Sequence, residues 1–318
     1  MPCVKQDMVL IDRFGRALTH LRISVTLRCN HNCIFCHREG IDYVVSTELS
    51  AEDWGFVAKV SRELGIKYFK LTGGEPLVRK DIVDIVKYIV ESGGEVSLVT
   101  NGSLLKHYIS GLAEAGISYI NVSLHSLKKD IFRRITGGNL DNVLEGIEEA
   151  LKYNIPLKID YLVLTYNKEE YLDIIKYAEK RGINLNIIEL IPLGLSVNKY
   201  SELHYTLDDI IKYLEEHSLR KYHKDFQSRP EYIMPSGIKI TVIKGFCNPD
   251  MCMRCTRIRM TPDGRIKTCL FRNDTLVNAR EYIIMRDEKG LIESFKKANM
   301  LREPFFKYGS RGKSYVYG

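Results

Sequence analysis

The chain has 318 residues, 45% of them apolar and 27% charged, with a formal net charge of +7. That balance is ordinary for a globular protein with a sizeable core, and it leaves room for one large domain or two smaller ones. No apolar run approaches a membrane span, the opening residues lack the layout of an export signal, and the most basic stretch (Lys296 to Lys313) is diluted by aromatic and small residues. A cytoplasmic protein is therefore expected, with neither membrane nor nucleic acid as partner. Its eight cysteines should stay reduced and serve as ligands rather than disulfides. The positive charge suits a polyanionic ligand, although a lysine-rich solvated surface gives the same number.

The first strand-like run is 18–26. A loop with Cys29, Cys33 and Cys36 follows it directly, three thiols within eight residues. Such a triad can hold three irons of a 4Fe–4S cube and leave the fourth open to a substrate or cofactor. The competing reading is a structural zinc site with His31 or His37 as fourth ligand. Beyond the loop, helical patterns at 50–64, 80–91, 104–115, 140–153 and 168–181 alternate with strand patterns at 67–72, 95–99, 118–123, 157–163 and 184–190. Ser50 with Asp53 predicts a capped helix start. Strands alternating with helices predict parallel βαβ units. Six units are too few for a full barrel, so the pattern predicts an incomplete (β/α)6 barrel with its active face at the C-terminal strand ends.

Small polar motifs fall at successive strand ends. Leu71-Thr72-Gly73-Gly74-Glu75-Pro76 ends the second strand, with two glycines that free the backbone to approach a ligand. Val99-Thr100-Asn101-Gly102 ends the third, and Asn121-Val122-Ser123-Leu124-His125-Ser126 the fourth. Asn101 and Ser126 suit either helix capping or ligand contact, whereas Ser123 favours contact. From residue 191 the rhythm is lost. A helix at 206–218 capped by Thr206 and strands near 231–235 and 238–243 precede a second cysteine group, Cys252, Cys255 and Cys269. The expected division is a barrel over 1–190 and, over 191–318, an extension that closes the open side of the barrel. The second group reads as a zinc ribbon, with Cys247 as a fourth thiolate. If Thr256 to Arg259 form a strand, Arg257 and Arg259 share a face and suit a phosphate or a nucleobase.

The motifs CNHNCIFC, LTGGEP, VTNG and NVSLHS, in that order, resemble the radical S-adenosylmethionine (SAM) superfamily. The resemblance implies a radical-SAM barrel in which the open iron is chelated by SAM, which is cleaved to a 5′-deoxyadenosyl radical. It also implies SAM contacts from Phe35, Gly74, Ser123 and Ile191. Asp12 to Arg16, Leu21 to Thr26 and CMRCTRIRMTPDGRIKTCLF are further similar to the GTP 3′,8-cyclase family of molybdenum cofactor biosynthesis, from about Asp12 to Phe271. That similarity implies an α/β protein whose C-terminal extension carries a second 4Fe–4S cluster on Cys252, Cys255 and Cys269, with the guanine of GTP at its open iron. It implies catalytic arginines at Arg16, Arg257 and Arg259, and GTP contacts from these three with Lys70, Thr100 and Lys158. Implied partners are an electron donor such as a ferredoxin or flavodoxin, a downstream cyclic pyranopterin monophosphate synthase, and a second copy in a homodimer.

Departures from the family pattern are Lys70, where many members have arginine, Asn186, where arginine is usual, and Asp160, where asparagine is frequent. The chain ends Tyr317-Gly318 rather than in two glycines. The tail and Cys247 favour an alternative, another radical-SAM enzyme with an auxiliary cluster acting on a peptide or tetrapyrrole. A basic protein with two zinc sites binding nucleic acid is the third reading.

Overall fold

A computed structural model describes residues 9–304; Cys3 and the Tyr317-Gly318 tail lie outside the described residues. In chain order the first half comprises β1 (His20–Thr26), α1 (Ala51–Glu63), β2 (Tyr68–Gly73), α2 (Ile82–Glu91), β3 (Glu95–Thr100), α3 (Leu105–Glu114), β4 (Tyr119–Ser123), α4 (Lys129–Thr136), α5 (Leu140–Leu151), β5 (Leu157–Val163), α6 (Tyr171–Arg181) and β6 (Asn184–Glu189). The six strands pair in sequence order and all in parallel. The partial barrel expected from the alternating pattern is therefore present.

Strand periodicity explains which side each residue takes. In β1, Leu21, Ile23 and Val25 are fully buried in the main core, while Arg22 on the alternate face lines the central cavity. Helix α1 starts at the expected capping box, with Ser50 accepting from the Asp53 N–H and Asp53 accepting from the Ser50 N–H. The short α4 has only Ile131, Phe132 and Ile135 as large apolar residues, too few to show a helical period in the sequence.

The second half adds α7 (Tyr200–Leu203), α8 (Asp208–His217), β7 (Arg220–His223), β8 (Pro230–Ile233), β9 (Lys239–Ile243), α9 (Pro249–Met253), β10 (Arg257–Met260), β11 (Arg265–Lys267), β12 (Val277–Asn278), α10 (Arg280–Ile284) and α11 (Glu288–Met300). Thr206 does not cap α8. The residue at the helix start is Leu207, which offers no side-chain acceptor. The extension lengthens the sheet at both edges, flanking the open side of the barrel. The strand order is β12-β11-β10-β1-β2-β3-β4-β5-β6-β9-β8-β7, with β10 parallel to β1 and β9 parallel to β6.

The two flanks meet through a turn instead of a strand pair. Between β7 and β8, the Gln227 N–H donates to the Arg254 carbonyl at 3.1 Å. The neighbouring Phe226 ring stacks on His20 at 4.5 Å, and His20 stacks on Tyr68 at 4.5 Å. Because His20 and Tyr68 begin β1 and β2, this aromatic stack closes the N-terminal end of the barrel.

The paired glycines after β2 dock on the chain itself. The Gly74 N–H donates to the Thr26 carbonyl at 2.8 Å, and the Glu75 N–H to the Arg28 carbonyl at 2.8 Å. A Cβ on Gly73 would lie 2.1 Å from the Thr26 oxygen, and one on Gly74 2.2 Å from the Arg28 oxygen. Gly73 also has a φ of +144°. The close approach that requires glycine is thus to the root of the first cysteine loop. Gly73→Ala is predicted to lower stability by about 2 kcal/mol or more through steric overlap and backbone strain, measured by chemical denaturation of the cluster-loaded protein.

Candidate active site

One cavity of about 1510 Å³ runs through the barrel, and all six cysteines of the two triads line it. Cys29, Cys33 and Cys36 follow the C-terminal end of β1. Cys255 precedes β10, whose first residue Arg257 pairs with His20 at the start of β1. The second triad therefore lies toward the N-terminal end of the strands, and the length of β1, about 20 Å at the usual rise, separates the two levels. The active face expected at one end of the barrel is instead a channel with a cysteine triad toward each end.

The donor sets suit the implied clusters. All six cysteines are free. Burial raises the Cys33 thiol, as do Cys36 and Cys29 beside it. Burial alone would also raise Cys255, but Arg257, its backbone N–H and Arg302 outweigh it and hold this thiol below its ordinary value. Among the described residues, no three His, Cys, Asp or Glu side chains are gathered tightly enough to hold a single ion. Cys247, unlike the triad, is not among the cavity-lining residues.

Between the triads lies a layer of charge. Glu39 accepts from Arg22 Nε at 3.0 Å and Nη2 at 2.7 Å, and from Arg259 Nη1 at 2.7 Å and Thr72 at 3.0 Å. Burial works against its charge, but Arg22 and Arg259 hold the carboxyl well below the usual range. On the opposite wall, Asn121 and Asn186 both donate to Asp160 Oδ1, at 2.8 and 2.6 Å. Lys70 donates to Asn121 at 3.2 Å, and burial, opposed by Asp160 and reinforced by Arg22, Arg257 and Arg229, pushes its ammonium down to about 7.

Most of the residues singled out in the sequence reach this cavity. Phe35, Gly74, Thr100, Ser123 and Ile191 line it toward the C-terminal strand ends, and Arg16, Lys70, Arg257 and Arg259 line it deeper in. Several are already engaged. Arg16 pairs with Asp12 at 2.8 Å and donates to the Cys252 carbonyl at 2.8 Å. Thr100 donates to Glu75 at 2.7 Å, and Arg259 is held by Glu39.

Lys158 is not among the lining residues. It shares a face with Asp160 but stands two residues earlier on β5, about 7 Å nearer the strand's start. Burial pushes its ammonium down to about 8, with Lys224 and Glu231 as its next electrostatic neighbours. Asn101 and Ser126 have structural partners. Asn101 accepts from Ser103 and donates to Asn30 in the cysteine loop, and Ser126 donates to Glu170.

Sequence reasoning missed Glu39, Arg229 and Arg302. Arg302, buried after α11, donates to the carbonyls of Arg16 at 3.3 Å and Cys255 at 2.5 Å. Arg22 was visible in the alternation of β1, where it is the one cation among apolar neighbours. Glu75 stitches strand ends together, accepting from the Leu77 and Asn101 N–H groups as well as from Thr100, and burial pushes its carboxyl up to about 7.

Comparisons with known proteins agree with this architecture. Residues 23–178 match the Radical SAM superfamily and residues 183–308 match Molybdenum Cofactor Synthesis C. A protein of Saccharolobus solfataricus named "Probable GTP 3',8-cyclase" is 42% identical over 311 residues, covering 94% of this chain and 99% of the relative. One of the same name from Thermococcus kodakarensis is 41% identical over 309 residues, covering 94% and 100%. Among solved structures, Streptococcus suis SuiB bound to S-adenosylmethionine aligns with a TM-score of 0.67 at 16% identity, covering 89% of this chain and 69% of SuiB. Native anSMEcpe with bound AdoMet gives 0.59 at 17% identity, covering 88% and 81%. These two likenesses speak for the fold alone. The coverage and identity of the curated relatives decide the assignment: the chain belongs to the GTP 3′,8-cyclase family of the radical SAM superfamily.

Proposed function

We propose that this chain cyclises GTP to 3′,8-cyclo-7,8-dihydro-GTP, the first step of molybdenum cofactor biosynthesis. The observation that carries the reading is a single cavity with a cysteine triad toward each end and a cationic layer between them. Cys29, Cys33 and Cys36 would hold the first 4Fe–4S cluster and Cys252, Cys255 and Cys269 the second. When bound, the clusters and SAM supply a 5′-deoxyadenosyl radical that takes the ribose 3′ hydrogen, and a seat for the guanine.

The chain's own work is placement. Phe35, Gly74, Ser123 and Ile191 hold SAM at the upper end of the channel. Lys70 and Arg257 meet the substrate directly: among the described residues neither is paired with a carboxylate. Arg16 and Arg259 act by fixing the walls, because their guanidinium groups are bound to Asp12 and Glu39. Residues 1–190 form most of the SAM-handling part, and 191–318 add Ile191 to it and supply the second cluster. A low-potential donor such as a ferredoxin or flavodoxin delivers electrons, and a cyclic pyranopterin monophosphate synthase takes the product.

The direct test is anaerobic turnover of the cluster-loaded protein with SAM, dithionite and GTP deuterated at ribose C3′. Deuterium should appear in 5′-deoxyadenosine together with a cyclised nucleotide. SAM cleavage without deuterium transfer would reject GTP as the substrate.

Lys70 gives a pH signature. Burial disfavours its ammonium, which is pushed down to about 7, and a triphosphate favours the charged form. GTP affinity should therefore fall as pH rises through about 7, with a proton taken up on binding. Lys70→Arg stays charged and should flatten that dependence. Calorimetric titration in buffers of different ionisation heat measures the uptake; equal uptake by the variant would contradict the assignment.

A further inference from the structure

The β7–β8 turn delivers a cation to the cavity that no motif marked. Arg229 lines the channel between the second triad and the Asp160 wall. Its Nη2 donates to Gln227 Oε1, and its guanidinium lies over the Phe226 ring at 5.4 Å. The same ring carries Arg257 at 4.9 Å and is itself stacked on His20. Arg229 Nε is buried and has no hydrogen-bond partner among the described residues. A buried donor left unsatisfied is costly, so a ligand acceptor is expected there.

Charge balance says what that ligand is. The nearby carboxylates are already taken, Glu39 by Arg22 and Arg259 and Asp12 by Arg16 and Arg302. Among the described residues, no ion pair joins Lys70, Arg229 or Arg257 to a carboxylate. Asp160 is the remaining anion on that wall, and it is held by two amides on one oxygen rather than by a cation. It favours the charge on both Lys70 and Arg229. Lys70, Arg229 and Arg257, set against Asp160 and the Cys255 thiolate, leave an excess of positive charge that a polyanion offsets, and the carboxylate keeps that polyanion off the β5–β6 wall.

We infer that Arg229 is a further anchoring residue for the phosphates of the substrate, with Asp160, fixed by Asn121 and Asn186, as the positioning group opposite it. The inference rests on the proposed GTP reading and deepens it. The extension thus contributes a phosphate contact from the β7–β8 turn in addition to Arg257 of β10. A guanidinium with its Nε–H free and its plane held by Gln227 and Phe226 suits a phosphate oxygen.

The test uses the anaerobic protein with both clusters loaded. Arg229→Gln should raise the KM for GTP about tenfold or more while iron content and maximal turnover hold, as loss of a charge-assisted phosphate contact predicts. Arg229→Lys should recover part of that loss. Titration with guanosine, which lacks the phosphates, should show no penalty for Arg229→Gln. Asp160→Asn should weaken GTP binding less in the Arg229→Gln background than in the wild type. An unchanged KM in Arg229→Gln with intact clusters, an Arg229→Lys variant no better than the glutamine, or an equal penalty for guanosine overturns the inference. A wild type that forms no cyclised nucleotide overturns the substrate reading itself.

Discussion

The geometry of this protein depends on one buried carboxylate. Glu39 lies three residues beyond the last cysteine of the first triad and binds Arg22 of β1 and Arg259 of β10. Arg259 lies between Cys255 and Cys269 of the second triad. One side chain therefore ties both cysteine loops to adjacent strands. The chain accepts strain to place it: Arg38 and Glu39 have φ of +46° and +51°, a conformation costly for residues with a Cβ. At Gly40 the loop presses so closely on the segment after Cys269 that a Cβ would meet the Leu270 oxygen at 2.1 Å. Removing the carboxylate would leave two buried guanidinium groups uncompensated, a change of about 3–5 kcal/mol.

Around that clamp, the split extension converts an open barrel into a channel. Because β9 joins β6 and β10 joins β1, residues of the second half reach both edges of the first. The turn at Phe226 then brings the flanks together beneath the cavity and sets Arg229 and Arg257 on one aromatic ring. Arg302 braces the second triad from the far end of the chain by holding the carbonyls of Arg16 and Cys255. The site is thus assembled from segments distant in sequence, with its charges fixed before a ligand arrives, the condition under which placement lowers a barrier.

What the sequence shows and what it hides divide along physical lines. Local periodicity located the six parallel strands and five of their helices, since alternation and the 3.6-residue period are properties of neighbouring residues. Both cysteine triads and the shared face of Arg257 and Arg259 were equally legible. Lys158 enters through the resemblance alone, and its height on β5, two residues before the cavity-lining Asp160, is a tertiary property that no local pattern carries. Glu39 and Arg229 sit in turns whose place is set by tertiary contacts, and nothing local tells which sheet edge β9 or β10 will join. The two glycines of LTGGEP carried the right signal for close approach, but the partner they approach is the Thr26–Arg28 backbone. Asp160 and Asn186, two separate departures in sequence, prove to be hydrogen-bonded to each other at 2.6 Å, so they form one feature of the cavity wall.

On this geometry the Glu39 clamp holds the two clusters in the register that couples radical formation to cyclisation. The most direct measurement is the ratio of 5′-deoxyadenosine to cyclised nucleotide in Glu39→Gln protein that has retained the iron of both clusters. The ratio should lie well above that of the wild type, because SAM is still cleaved while the ribose no longer sits where the radical forms. An unchanged ratio at full cluster loading would contradict it.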